Sequence, residues 1–169
     1  MDLNGKVIVV TGGAQGIGEA TARLCAARGA TVVIADVNQD DGEQVAASIR
    51  ASGGDARFEC TDVRLDEAVR ALMEGVRARH GRLDVLICAA GILRGAYLQP
   101  EEFPVEVFET VLDVNVKGVF LCAKYATPLL EASGRGVVIL IGSGAGVVGP
   151  SSSLAYGASK AGVNGLGTV

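Results

Sequence analysis

The chain has 169 residues, 49% of them hydrophobic, which is enough for one domain with a substantial core and too apolar for disorder. A formal net charge of −4 without a Lys/Arg cluster argues against nucleic acid or an anionic membrane as partner, and no apolar stretch approaches the roughly 18 residues of a membrane span. Met1 to Lys6 lacks the charged and apolar regions of a signal peptide, so the expectation is a cytoplasmic protein that meets a small molecule.

Lys6–Val10 (KVIVV) is a β-branched run that ends directly in Thr11-Gly12-Gly13-Ala14-Gln15-Gly16-Ile17-Gly18, ahead of a helical pattern through Arg28. Strand, glycine loop and helix in this order suit a pyrophosphate: glycines admit positive φ and close backbone approach, and the helix N-terminus favours anions. The loop lacks the Gly-Lys-Ser/Thr ending of a P-loop. Thr31–Ala35 (TVVIA) reads as a second buried strand, and Asp36 follows it at the spacing where an acid meets an adenosine ribose. A carboxylate there accepts from both ribose hydroxyls and repels a 2′-phosphate, with no Arg or Lys adjacent in sequence, so NAD(H) is expected over NADP(H). The alternative is that Asp36 only opens the next turn.

Asp40–Ser52 looks helical, acidic at its start and basic at Arg50, closing at Gly53-Gly54. Ala56–Cys60 is a third strand; beyond it Asp62 or Val63 could face an adenine ring, although a capping role for Asp62 is equally compatible. Leu65, Val69, Leu72, Met73 and Val76 stripe a helix ending at His80-Gly81, where His80 reads as a surface residue favourable to the helix dipole. Asp84–Cys88 is a fourth strand, and Ala89-Ala90-Gly91 after it are small enough for a flat cofactor to lie against backbone. A long helix is expected over Glu102–Glu131 with Phe108, Leu112, Asn115, Val116, Val119, Phe120 and Ala123 on its inner face, which makes Asn115 a buried amide in need of a partner.

Val137–Ile141 is apolar throughout, as in a strand buried on both faces, and breaks at Gly142 into a Gly/Ser-rich loop. Ser143 stands at that carboxyl end, and Tyr156 and Lys160, four apart, share a face of the next helix. A phenol is a poor acid or base near neutrality, its ordinary pKa being about 10, but an ammonium one turn away stabilises the phenolate. Tyr156 is thereby a candidate proton shuttle, although Tyr-x-x-x-Lys alone is also compatible with accidental spacing. Cys25, Cys60, Cys88 and Cys122 have no C-x-x-C spacing, and His80 is the single histidine, so no metal set is expected and the thiols read as buried small hydrophobes. Twenty-four glycines and 4% aromatics suit the tight turns of an α/β protein.

In order, Thr11-Gly12-x-x-x-Gly16-Ile17-Gly18, Asp36, Asp62, Asn115, Ser143 and Tyr156-x-x-x-Lys160 resemble the short-chain dehydrogenase/reductase family over nearly the whole chain. The resemblance implies a doubly wound parallel sheet, a Rossmann fold with strand order 3-2-1-4-5, and one dinucleotide-binding domain over residues 1–169. It implies an NAD(H)-dependent oxidoreductase interconverting a secondary alcohol and a ketone, a homo-oligomer (dimer or tetramer), and a catalytic group of Asn115, Ser143, Tyr156 and Lys160. In that scheme Ser143 orients the substrate oxygen, Tyr156 transfers the proton, Lys160 binds nicotinamide ribose hydroxyls and stabilises the phenolate, and Asn115 maintains a water relay. The cofactor-binding residues become Gly12, Gln15, Gly16, Ile17, Gly18, Asp36, Asp62, Val63, Ala89, Ala90 and Gly91, with Tyr156 and Lys160. Leu93, Arg94, Val147, Val148 and Leu154 are expected as partial substrate lining with an apolar character.

Cys88-Ala89-Ala90-Gly91 departs from the family's Asn-Asn-Ala-Gly, keeping the small pair but losing amide contacts. The resemblance also implies further strands and a substrate loop beyond Val169, which leaves the domain incomplete at its C-terminus, its fifth strand a sheet edge and the helices from Glu102 and Leu154 exposing Val163 and Leu166. A silent dinucleotide-binding or interaction module is the rival reading. An S-adenosylmethionine methyltransferase accounts for the glycine loop and Asp36 but gives no reason for Ser143 with Tyr156-x-x-x-Lys160.

Overall fold

The structure, a computed structural model, describes residues 2–149 and 151–168. Its five strands are β1 (Val7–Thr11), β2 (Thr31–Asp36), β3 (Asp55–Cys60), β4 (Val85–Cys88) and β5 (Val137–Leu140). All pair in parallel in the order β3-β2-β1-β4-β5, as the resemblance implies. The central strands read as continuous apolar runs because both of their faces are covered. Along β1 the side chains alternate between two cores: Val7 and Val9 point to one, Ile8 and Val10 to the other.

The core on the Ile8/Val10 side is closed by α1 (Gly16–Ala26) and α2 (Gln39–Ala51), through Ala22, Cys25 and Ala26 and through Val45, Ala46 and Ile49. The core on the Val7/Val9 side is closed by α3 (Asp66–His80), α5 (Gly118–Ala132) and α6 (Leu154–Leu166), chiefly through Val69, Leu72, Met73, Val76, Cys122, Leu129 and Val163, and α4 (Val105–Leu112) packs against α6. Each fully buried Val, Leu or Ile here contributes on the order of 1.5–3 kcal/mol relative to exposure. The buried base of the sheet is pinned by Asp84, whose carboxylate accepts from Lys6 Nζ at 2.8 Å, the Val7 N–H at 2.9 Å and Arg82 Nε at 3.2 Å. Among the described residues no helix is long and apolar enough to cross a membrane.

Several local expectations are corrected. The helix expected over Glu102–Glu131 begins at Val105, because Pro104 has no N–H to offer and holds Phe103 extended. It is also interrupted by a π turn, Asp113–Lys117, in which the Gly118 N–H reaches back to the Asp113 carbonyl. A 3.6-residue period drawn through that wider turn misplaces the inner face. Val111, Asn115, Val119, Cys122, Ala126 and Leu129 are buried, whereas Phe108 and Phe120 are 36% and 50% exposed. Val163 is in the core rather than exposed. Cys60 is exposed at the end of β3, an outer strand, while the other three thiols are buried. His80 is half-buried instead of on the surface, and burial, with Arg57 nearby, lowers its pKa, so it is a poor cation for the helix terminus.

Candidate functional site

Strands β1 and β4 are neighbours, but the chain leaves β1 toward β2 and returns to β4 only after β3. The crevice beyond the carboxyl ends of the strands at such a reversal is where open α/β sheets bind ligands. Here it is a cleft of about 480 Å³. Its floor extends the sheet hydrogen bonding: the Gly12 N–H donates to the Ala35 carbonyl at 2.8 Å, the Ala89 N–H to the Thr11 carbonyl at 3.2 Å, and the Ala90 N–H to Thr11 Oγ1 at 3.3 Å. Gly12 has φ +67°, and a Cβ on it would lie 2.6 Å from the Ala90 backbone, so only glycine lets the two strand ends meet.

Ten of the expected cofactor residues line this cleft: Gly12, Gln15, Gly16, Ile17, Gly18, Asp36, Val63, Ala89, Ala90 and Gly91. Helix α1 opens onto it without a side-chain cap, and its first internal bond runs from the Glu19 N–H to the Gln15 carbonyl. Among the described residues the N–H groups of Gly16, Ile17 and Gly18 therefore have no protein acceptor, and Gly16 has open space where a Cβ would be. Asp36 is fixed by backbone donors, its Oδ2 accepting from the Ala14 N–H at 3.0 Å and its Oδ1 from the Asn38 N–H at 3.1 Å. Three uncompensated donors at a helix start, a cradle without side chains and a pinned carboxylate fit a dinucleotide with its pyrophosphate on α1.

Asp62 does not line the cleft. Its carboxylate is taken by Arg64, with Nη2 at 2.6 Å from Oδ2, and the hydrogen bond from Arg64 holds its pKa below the usual range against the effect of burial. Arg64 is on the cleft wall, as are Arg94, Thr110 and Val114. Sequence reasoning missed Arg64 because its placement depends on the turn that its own pairing with Asp62 builds.

Three of the four expected catalytic residues, Asn115, Tyr156 and Lys160, meet on the other side of Gly91. Lys160 is 6% exposed; its Nζ donates to the Ile141 carbonyl at 2.6 Å, and burial lowers its pKa. A Cβ on Gly91 would lie 3.8 Å from that Nζ and 3.4 Å from Asn115 Oδ1, so the cleft wall shares a boundary with Lys160 and Asn115. Tyr156, half-buried, carries its ring centroid 5.6 Å from Lys160 Nζ. Helix α6 is started by Ser153, whose Oγ accepts the Tyr156 N–H at 3.3 Å and donates to the Arg94 carbonyl at 2.7 Å. Ser143 Oγ accepts the Ala145 N–H at 3.2 Å, which leaves its hydroxyl proton free to donate, and Asn164 ties the same turn to α6 through the Gly146 carbonyl at 3.4 Å.

Asn115 finds its expected partner in backbone. Its Oδ1 accepts the Ile92 N–H at 2.8 Å, and its Nδ2 donates to the Ile92 carbonyl at 3.0 Å and to Ser159 Oγ at 2.9 Å. Ser159, wholly buried, passes its own proton to the Tyr156 carbonyl at 2.8 Å. Its place next to Lys160 was visible in sequence, but nothing there distinguished it from the other small residues of the helix.

Residues 6–169 match the short chain dehydrogenase family. The chain belongs to this family. It is 42% identical over 161 residues to a cis-4-hydroxycyclohexanecarboxylate dehydrogenase of Sinomonas cyclohexanicum, covering 95% of this chain and 64% of that protein. Among solved structures it is similar to an NAD+-bound xylitol dehydrogenase (TM-score 0.92, 35% identity, 98% of this chain and 64% of that one). It is likewise similar to a metagenomic short-chain oxidoreductase in complex with NADP (TM-score 0.91, 37% identity, 98% of this chain and 75% of that one). The chain thus spans about 64% of the length of the first curated relative.

Proposed function

We propose that this chain is the Rossmann-type dinucleotide-binding and proton-transferring part of an NAD(H)-dependent oxidoreductase that interconverts a secondary alcohol and a ketone. The observation that carries the reading is the shared boundary at Gly91, with the buried Lys160 ammonium and Asn115 on one side and the cleft of Gly12, Gly16 and Asp36 on the other. The names of two relatives, a hydroxycyclohexanecarboxylate dehydrogenase and a xylitol dehydrogenase, denote oxidation of alcohols and support the reaction class.

When bound, the nicotinamide supplies hydride exchange with the substrate carbon. The protein's residues do the rest. The free N–H groups of Gly16, Ile17 and Gly18 hold the pyrophosphate, and Asp36, oriented by two backbone donors, accepts from the adenosine ribose hydroxyls. Ser143 Oγ donates to the substrate oxygen, and Tyr156 gives or takes the proton at that oxygen. Among the described residues Lys160 keeps two protons free beyond its bond to Ile141, one for a ribose hydroxyl, while its charge stabilises the phenolate. Asn115 holds the Ile92 backbone from both sides and so fixes the wall after β4. Leu93, Val147, Val148 and Leu154, all exposed, suit an apolar substrate face together with Arg94.

NAD(H) is preferred over NADP(H) because Asp36 meets a 2′-phosphate with like charge. The exposed Val105, Phe108 and Phe120 on α4 and α5 support assembly as a homo-oligomer. Isothermal titration with NAD+ and NADP+ tests the cofactor reading: NAD+ binds more tightly, and Asp36→Ala narrows the difference. Equal affinities in the unsubstituted chain overturn it. Turnover of a panel of secondary alcohols, followed by the absorbance of reduced nicotinamide, tests the reaction class.

A further inference from the structure

Two arginines, Arg64 and Arg94, and one carboxylate, Asp36, are on the cleft wall. Arg64 is paired with Asp62, and Asp36 is engaged by the Ala14 and Asn38 N–H groups. Arg94 differs. Among the described residues its guanidinium has neither a hydrogen-bond acceptor nor a carboxylate partner. Asp36 does not compensate it, because β1 stands between the end of β2 and the segment that leaves β4. The backbone of that segment, by contrast, is held firmly. Ile92 is bonded on both sides by Asn115, the Arg94 carbonyl accepts from Ser153 Oγ at 2.7 Å, and the Tyr97 N–H donates to the Ser152 carbonyl at 2.6 Å. Tyr97 has φ +64°, a left-handed conformation that is costly for a residue with a side chain, and a Cβ on Gly95, at φ +65°, would lie 2.6 Å from the Phe103 ring. Strained backbone fixed in this way belongs with sites built for a ligand.

The same clamp ties Arg94 to the catalytic turn, since the Ser153 Oγ that holds its carbonyl also accepts the Tyr156 N–H at 3.3 Å. The pyrophosphate already has the free N–H groups of Gly16, Ile17 and Gly18 at the start of α1. Leu93 before Arg94 and Leu154 after Ser153 are both exposed, so apolar side chains flank the two ends of the clamp. An open guanidinium fork beside apolar surface matches a carboxylate on an apolar body.

We propose that Arg94 recognises a carboxylate on the substrate, so that the alcohol or ketone taken by this site is an acid with an apolar body rather than a neutral molecule. The proposal rests on the reading given above and narrows its substrate class. Arg94 is then a specificity residue: it meets the charged end of the substrate and not the reacting carbon.

The test is an NMR titration of the full 169-residue chain, saturated with NAD+, with hexanoate and with hexanamide, which share an apolar body and differ in charge. NAD+ itself is titrated by calorimetry. The wild type binds hexanoate more tightly than hexanamide. Arg94→Ala weakens hexanoate roughly 10-fold, the order for one charge-assisted hydrogen bond, and brings it to the level of hexanamide. Arg94→Lys, which keeps the charge but loses the fork, recovers part of that loss, and Arg94→Glu reverses the preference. These substitutions keep the Arg94 carbonyl and its bond to Ser153, and the side chain is exposed, so the fold stays intact, as thermal unfolding checks. Equal wild-type affinity for hexanoate and hexanamide, or a preference for hexanoate that survives in Arg94→Ala, overturns the proposal while the cofactor reading stands. A loss of NAD+ affinity in Arg94→Ala as large as that for hexanoate also overturns it, because the guanidinium would then serve the pyrophosphate. Failure of the wild-type chain to bind NAD+ overturns the cofactor reading and the substrate role of Arg94 together.

Discussion

Replacing Asn115 by alanine removes three hydrogen bonds from a side chain that is 1% exposed. At about 1 kcal/mol net for each, the cost is on the order of 3 kcal/mol. Ile92 is half-buried at the cleft, so water can reach part of its freed N–H and carbonyl; Ser159 is wholly buried and keeps only its bond to the Tyr156 carbonyl. The sum is therefore nearer an upper bound than a mean. For a chain of this length each kcal/mol moves the melting midpoint by roughly 2–4 °C, so the substitution lowers it by about 6–12 °C. Thermal unfolding by circular dichroism, repeated in urea to read the free energy directly, measures this. Asn115→Asp separates acceptor from donor: an ionised carboxylate still takes the Ile92 N–H but cannot donate to Ser159 or the Ile92 carbonyl, and it buries a charge, so it costs at least as much. A midpoint shift of less than about 1 °C in both variants would refute the reasoning, because it would mean that the amide does not hold the wall after β4.

Burial pushes the Asp84 carboxyl up, but the Lys6 hydrogen bond, the Val7 N–H and Arg82 more than offset this and leave it lowered. A lowered carboxyl contributes stability that is present above its unfolded pKa of about 3.9 and is lost as pH falls through the folded value, so the advantage of wild type over Asp84→Asn in urea unfolding shrinks below about pH 4. Tyr156→Phe keeps α6 and removes the phenol, so in an alcohol oxidation assay turnover falls on the order of 10²-fold or more while NAD+ affinity stays nearly constant; a wild-type rate would move the proton transfer elsewhere. Strand β5 pairs only with β4 among the described residues, and Val137, Val138 and Ile139 are 48%, 41% and 43% exposed. The isolated chain therefore self-associates in light scattering, and Val138→Lys on that edge reduces the association; a monomeric wild type would refute this.

The parts of the fold legible in sequence are those whose signals are local. Apolar runs give β1, β2, β4 and β5 to within a residue or so, and β1, β2 and β4 are covered on both faces as such runs imply; β5, expected to be buried on both faces, instead has Val137, Val138 and Ile139 exposed, and β3 (DARFEC) is not a continuous apolar run. The glycine loop, Asp36 and the Tyr156/Lys160 spacing are legible for a similar reason: each is a pattern of residues one strand end or one helical turn apart. The helix around Asn115 was misread because a π turn leaves no compositional mark, and the aromatic residues Phe108 and Phe120 attracted the inner face to themselves. The sequence offers Asp62 or Val63 to an adenine ring, with capping by Asp62 equally compatible; in the structure the Asp62 carboxylate pairs with Arg64, two residues away. That competition between a ligand and a near neighbour is decided by turn geometry rather than residue type.

Lys160 is the residue for which a structural explanation alone is weakest. Its ammonium is almost wholly buried, burial lowers its pKa, and its one protein acceptor is the Ile141 carbonyl, with no carboxylate hydrogen-bonded to it among the described residues. Stability would be served as well or better by an unbranched apolar side chain such as methionine, because a desolvated charge with one neutral partner costs more than its hydrogen bond returns. The cost acquires a reason only at the cleft. Lys160 Nζ lies against Gly91, where the wall has no side chain, and one helical turn from Tyr156, so two of its protons and its field remain available to whatever enters. Asn115 and Ser159 then hold the Ile92 wall and the Tyr156 turn to each other around that charge. A buried, under-compensated cation braced in this way is the expected signature of a site arranged for a ligand rather than for the stability of the fold.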